Sequence, residues 1–218
     1  FTAKAQDKVE ASVGADFVSN YIWRGTDCGG VSIQPSMGVS YKGLSLAAWG
    51  SVGIDKEDAR EIDLTLGYNT GGFNVSVTDY WFSYHKEDDG YTGDYFKYGA
   101  HSTVHIFEAT LGYDFGPLAL NWNTYFAGDD YTKENGDRAY STYVGISAPF
   151  KLGGLDWSAE VGLTPWEGAY ANKFNVTNLT LKAEKEIKFT NSFSLPTFAQ
   201  VTFNPHTQGA YFVFGVSF

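Results

Sequence analysis

Apolar and polar residues alternate with period two along almost the whole chain, the spacing of strands that bury one face and wet the other. The first stretch is the clearest. Val9, Ala11, Val13, Ala15, Phe17, Tyr21 and Trp23 share one face, and Glu10, Ser12, Gly14, Asp16, Asn20 and Arg24 share the other. The same reading predicts twelve strands, near 9–24, 31–41, 44–54, 61–69, 73–84, 105–115, 118–127, 138–149, 154–164, 175–188, 192–204 and 209–218. Tight turns alternate with longer links. Lys42-Gly43, Thr70-Gly71-Gly72, Phe115-Gly116-Pro117, 150–153 and 189–191 are short. The links 25–30, 55–60, 85–104, 128–137, 165–174 and 205–208 are mostly longer and carry the charge clusters. No domain boundary or low-complexity linker interrupts the hairpins, so residues 6–218 read as one domain.

Alternation alone suits a soluble sandwich or a membrane barrel, because both give each strand one apolar and one polar face. Four features favour the barrel. The polar face of the second strand is Ser32, Gln34, Ser36, Gly38 and Ser40, where a water-washed sheet would carry Lys, Glu and Arg. Aromatics gather on the apolar face at the short-turn end: Tyr41, Tyr68, Phe73, Tyr113, Phe115, Phe150, Phe189, Phe193 and Phe218. Rings at that height suit a headgroup girdle flanking an apolar band about 25 Å tall. The chain closes on alternating apolar residues, Phe212, Phe214, Val216 and Phe218, in the style of the terminal strand that barrel assembly machinery reads. Short turns on one side and longer loops on the other match periplasmic turns and extracellular loops. The expectation is therefore all-β: a twelve-stranded antiparallel transmembrane β-barrel, integral to the bacterial outer membrane and in contact with its lipids. No run of about 20 apolar residues supplies a spanning helix.

Composition agrees. The 218 residues include 25 Gly, 6 Trp, 15 Tyr and 17 Phe, an excess of glycine and aromatics over an ordinary soluble domain. The net charge of −10 and the lack of a Lys/Arg cluster argue against nucleic acid as a partner. A single cysteine, Cys28, excludes a disulfide framework. Ala3-Lys4-Ala5 fits a signal-peptidase site before Gln6, so residues 1–5 read as a leader remnant.

Several segments carry a resemblance. The run Phe17-Val18-Ser19-Asn20-Tyr21-Ile22-Trp23-Arg24-Gly25, then Trp49-Gly50-Ser51, Glu61-Ile62-Asp63-Leu64 and Gly67-Tyr68, resembles the TorF-type porin family of Gram-negative outer-membrane β-barrel proteins. The similarity covers the first third; beyond about residue 84 it rests on hairpin style. It implies an outer-membrane barrel with a channel role. Asn20 departs from it, standing where an acid would precede the tyrosine.

If the aromatic faces meet lipid, parity fixes the interior. Inward acids are then Glu10, Asp16, Glu61, Asp63, Glu108, Asp114, Asp156, Glu160, Glu184 and Glu186, against only Arg24 and Lys182 as bases. A wet lumen with that balance favours cations. Arg24 is expected near the outer rim, facing Glu61 and Asp63 or solvent. Asp79 breaks parity, falling on the lipid face between Val77 and Trp81, and a bulge or an interfacial position is expected to relieve it. The 85–104 link, with Tyr91, Tyr95, Phe96 and Tyr98, either folds in as a constriction or stays on the surface.

Signals for chemistry are weak. Acid clusters at 55–58, 87–89 and 129–137 match no calcium-loop spacing and read as solvated, so no metal or cofactor is expected. His101-Ser102 is a poor nucleophile–base pair, because adjacent strand residues point to opposite faces; His101 and His105 would be about 13 Å apart if extended. The leading expectation is thus a passive, cation-leaning channel for small solutes and no enzyme. A non-conducting accessory subunit of an outer-membrane complex comes second, and a lipid-modifying hydrolase third.

Overall fold

The computed structural model describes residues 8–55, 58–83, 93–191 and 193–218. The expected leader remnant 1–5 and the acidic run 87–89 lie outside them. Twelve antiparallel strands close into a barrel in the order β1-β14-β13-β12-β11-β10-β9-β8-β7-β6-β5-β4. They are β1 (Glu10–Val18), β4 (Ser32–Tyr41), β5 (Leu44–Gly53), β6 (Glu61–Thr70), β7 (Phe73–Phe82), β8 (Ile106–Asp114), β9 (Ala119–Gly128), β10 (Thr142–Leu152), β11 (Leu155–Thr164), β12 (Asn175–Lys188), β13 (Ser194–Asn204) and β14 (Gly209–Ser217). Two further strands, β2 (Tyr21–Trp23) and β3 (Thr26–Gly29), pair only with each other.

The expected first strand over 9–24 is therefore wrong in its second half. β1 ends at Val18, the chain bends at Ser19-Asn20, and β2 leaves the wall. Arg24 (φ 50°) and Gly25 (φ 79°) make the β2–β3 turn with two positive φ angles, the geometry also used by Lys42 (φ 48°) and Gly43 (φ 88°) between β4 and β5. Two-residue turns of this kind match the right-handed twist of a hairpin and place glycine where a side chain would strain. Alternation lapses at Val18 and Ser19, where the apolar residue takes the polar face and the polar one the apolar face, and this is where the chain leaves the wall. The expected strand at 138–149 also shifts, running from Thr142 through Pro149 to Leu152.

The seam is narrow. β1 and β14 share three paired positions, Asp16 with Ser217, Phe17 with Val216 and Val18 with Gly215. Reciprocal backbone bonds between Ala15 and Phe218 (3.1 and 3.0 Å) extend it. At the bend, Ser19 N–H donates to the Phe214 carbonyl (2.9 Å) and Ser19 Oγ accepts from Phe214 N–H (3.0 Å). Ser19 thus satisfies the wall where β1 departs.

The outer face is apolar along every strand: Val13, Met37, Leu46, Leu66, Leu111 and Phe214 are all exposed. Tyr41, Tyr68, Phe73, Tyr113, Phe150, Phe189 and Phe218 are exposed at the short-turn end. Phe212 and Phe214 point outward on β14, and the alternate residues Val213 and Gly215 are buried. The buried side chains are mostly polar and face inward, among them Gln34, Ser51, Glu61, Thr78, Glu108, Asn123, Asn178 and Thr202. This inverts the usual soluble pattern.

Candidate functional site

The interior is organised around Arg24. The β2–β3 hairpin carries it across the long-loop end to the far wall. Arg24 Nη1 and Nη2 donate to the two Glu108 oxygens (2.5 and 2.9 Å), a bidentate ion pair. Nη1 also donates to Tyr170 Oη (2.6 Å), from the link between β11 and β12. The guanidinium lies 4.3 Å from the Trp23 ring centre and 4.8 Å from that of Tyr143, within cation–π range. Tyr80 donates to Glu108 (2.9 Å) and Tyr170 to Tyr125 (3.0 Å). Tyr125, Tyr143 and Tyr170 form a buried cluster with Trp23, Tyr80 and Ile106 packed on it. Burial works against the Arg24 charge, but the Glu108 carboxylate it pairs with outweighs it and holds the guanidinium well above its ordinary range. Burial pushes the Tyr170 phenol up to about 12. The contact therefore stays a charged guanidinium beside a neutral phenol at any physiological pH.

This corrects the expectation for Arg24. It is not at the outer rim, and Glu61 and Asp63 are not its partners. Those two sit on the other side of the hairpin, below Tyr21, whose ring packs on Trp49 (5.4 Å between centres). Asp63 Oδ1 is buried without a hydrogen-bond partner among the described residues.

The hairpin tip is tightly held. Asn204 Nδ2 donates to the Gly25 carbonyl (3.0 Å). A Cβ on Gly25 would stand 2.0 Å from the Thr177 carbonyl oxygen. Gly25→Val is thus expected to push the hairpin off its seat, costing more than about 1 kcal/mol, and to expose the Arg24 peptide bond. Limited trypsin digestion checks it: the parent resists cleavage after Arg24, and the variant is cut there.

The remaining inward residues divide by height. Lys182 pairs with Glu184 (2.6 Å) and lies 4.3 Å from the Phe198 ring centre. Asp156 pairs with Lys151 (2.7 Å) beside the 153–154 turn, both largely exposed. Asp114 accepts from Gly116 N–H (2.7 Å) in the next turn. Glu10 and Glu186 are exposed at the short-turn rim, where Glu186 accepts from Ser194. Glu184 and Glu186 share the inward parity of Lys182 on β12, and both are exposed near that rim. Asp16 and Glu160 remain inside the barrel. Tyr143 Oη donates to Glu160, and so does Asn178 Nδ2 (3.1 Å).

The hairpin floors a polar cavity of about 300 Å³ on its short-turn side. Trp23, Arg24 and Gly25 form the floor; Asn121, Asn123, Tyr143, Gly145, Glu160, Asn178, Thr180, Gln200 and Thr202 form the walls. Alternation had placed Glu160 inward, but nothing in the sequence placed the hairpin beside it. One signal was the Arg24-Gly25 pair, a turn dipeptide at the end of the expected first strand.

Asp79 stays on the outer wall with no bulge in its own strand; the register shifts of the barrel lie between Phe107 and Glu108 and between Gly162 and Leu163. His105 relieves it. Its Nδ1 lies 2.7 Å from Asp79 Oδ1, and its Nε2 lies 2.7 Å from the Tyr95 carbonyl oxygen. The Tyr95 carbonyl can only accept, so the ring donates to it from Nε2, and Nδ1 shares a proton with the Asp79 carboxyl group. Tyr95 and Tyr98 pack on the His105 ring (5.4 and 4.3 Å between centres), and Tyr95 packs on Trp81. The described part of the 85–104 link therefore lies on the outside of the barrel and does not constrict it. Both His105 nitrogens are engaged, leaving none to serve a hydroxyl. Cys28 is exposed, and its thiol donates to the Thr26 carbonyl (3.7 Å). Among the described residues, no three His, Cys, Asp or Glu side chains converge on a metal position. No family model and no curated protein matches this chain.

Proposed function

We propose that the protein is an integral outer-membrane barrel whose lumen is a polar, cation-favouring passage for small solutes, closed at the long-loop end by the β2–β3 hairpin. The observation that carries the reading is the inversion of inside and outside. Exposed apolar surface on every strand exceeds what a monomer keeps in water, and only lipid covers it on all sides of a closed barrel. The resemblance to TorF-type porins supports the same placement, and the terminal strand fits a substrate of the barrel assembly machinery.

The charge balance supports the ion preference. The two interior bases are each neutralised locally, Arg24 by Glu108 and Lys182 by Glu184. Asp16 and Glu160 have no such partner among the described residues. An excess of fixed carboxylates raises the local cation concentration. In planar bilayers under a salt gradient, the purified protein is expected to pass small currents with a reversal potential of cation-selective sign. Asp16→Asn with Glu160→Gln shifts it toward zero. An anion-selective sign would refute the proposed preference.

A second reading has its own support. The buried hairpin, the Arg24–Glu108 pair and the tyrosine cluster fill the lumen at one level, as a non-conducting structural barrel within a larger outer-membrane complex would require. It predicts no current from the parent or from any variant that frees the hairpin. A hydrolase acting on lipid finds less support, since His105 is committed to Asp79 and Tyr95. Hydrolase activity lost on mutating His101, Ser102 or His105 would revive it.

A further inference from the structure

We infer that the cavity under the hairpin is a binding site for a small organic cation, a protonated amine that also carries hydrogen-bonding groups. The inference rests on the proposed reading of the lumen as a solute space and names the solute class. Three observations carry it.

The first is charge. Arg24 and Glu160 are the two ionised groups on the cavity wall. Arg24 is cancelled by its bidentate contact with Glu108 behind it. Glu160 is not cancelled. Tyr143 and Asn178 both donate to its Oε1, which fixes its direction. Oε2 has no hydrogen-bond partner among the described residues. The cavity thus presents one oriented carboxylate and a net negative wall.

The second is room made on purpose. A Cβ on Gly162 would stand 2.0 Å from Tyr143 Oη, so glycine there lets the tyrosine reach Glu160. A Cβ on Gly145 would be 3.2 Å from the Tyr143 ring and 3.5 Å from Glu160 Oε1, so glycine there keeps the carboxylate uncovered. Both glycines sit opposite each other in the β10–β11 register.

The third is size and donor set. A volume of about 300 Å³ is at the small end of ligand pockets. It is far too large for a bare ion, and one free carboxylate oxygen cannot supply the six or more oxygens a hard divalent cation takes. The neutral amides and hydroxyls of Asn121, Gln200, Thr180 and Thr202 suit an ammonium compound that bears polar groups of its own.

The test uses the full-length protein, purified and folded in detergent, with ethanolamine and putrescine as probes. Calorimetric titration is expected to show saturable binding of both and none of succinate or erythritol. Glu160→Gln, equal in size, weakens amine binding at least tenfold; Glu160→Asp keeps part of it. Heat-dependent gel mobility confirms that each variant is folded. Overturning results are equal binding by the parent and Glu160→Gln, binding of succinate or erythritol as tight as that of the amines, displacement of the amines by equimolar potassium, or no amine binding at all. Bilayer recordings on the same preparation separate the two claims. Cation-selective current without amine binding removes the site and leaves the channel reading; amine binding without current removes the channel reading alone.

Discussion

Arg24→Met is expected to lower the unfolding free energy of the barrel by about 3–5 kcal/mol, the cost of leaving a buried charge without its partner. Glu108 is almost fully buried and takes both guanidinium nitrogens, so it would be stranded beside Tyr80. The double variant Arg24→Met with Glu108→Leu is expected to recover most of that loss, because the desolvation cost of both charges disappears together. Denaturant titration followed by folded-barrel gel mobility measures both. The same pair separates the two functional readings. Freed from Glu108 and Tyr170, the hairpin loses its anchor on the far wall, and Arg24→Met is expected to raise single-channel conductance several-fold. A destabilised variant with unchanged, vanishing current would favour the non-conducting barrel.

The second large effect lies on the outer wall. His105→Leu is expected to cost about 2–3 kcal/mol, because Asp79 then faces the apolar side without a donor. Asp79→Leu with His105→Leu should be nearly neutral for the barrel itself. Both changes release the 93–104 segment, since the ring that Tyr95 and Tyr98 pack on is gone. Limited proteolysis should report faster cleavage within 93–104 in both variants, with a stability loss only in the single one. Equal losses would mean that His105 acts by packing and not through Asp79.

Both effects depend on contacts between residues distant in sequence, and this limits what could be read beforehand. Ten of the twelve expected barrel strands appear close to their expected bounds, because each is a local pattern of alternating polarity and each tight turn has its own local chemistry. The two exceptions are instructive. Residues 9–24 alternate on both sides of a bend at Ser19-Asn20, with lapses at Val18, Ser19 and Ile22 that are too few to separate β2, itself a strand, from β1. Residues 138–141 alternate too, yet Ser141 is tied to Asp130 and to the Ala169 N–H instead of joining the wall. Parity names which face a strand residue takes, but not which sheet holds the strand.

The candidate site shows the same division. The sequence alone determined that the chain is all-β, that its apolar face turns outward, and that acids outnumber bases within. These follow from period two and from residue type. Only the tertiary structure decided that Arg24 meets Glu108 and Tyr170, that the hairpin floors a cavity under its tip, and that His105 rescues an outward Asp79. The physical reason is closure. A closed barrel brings β8, β10, β12 and the β11–β12 link around one axis, and a hairpin entering that space can touch any of them. Its choice is made by charge pairing, ring packing and the fit of Gly25 against Thr177, none of which leaves a local trace in the chain.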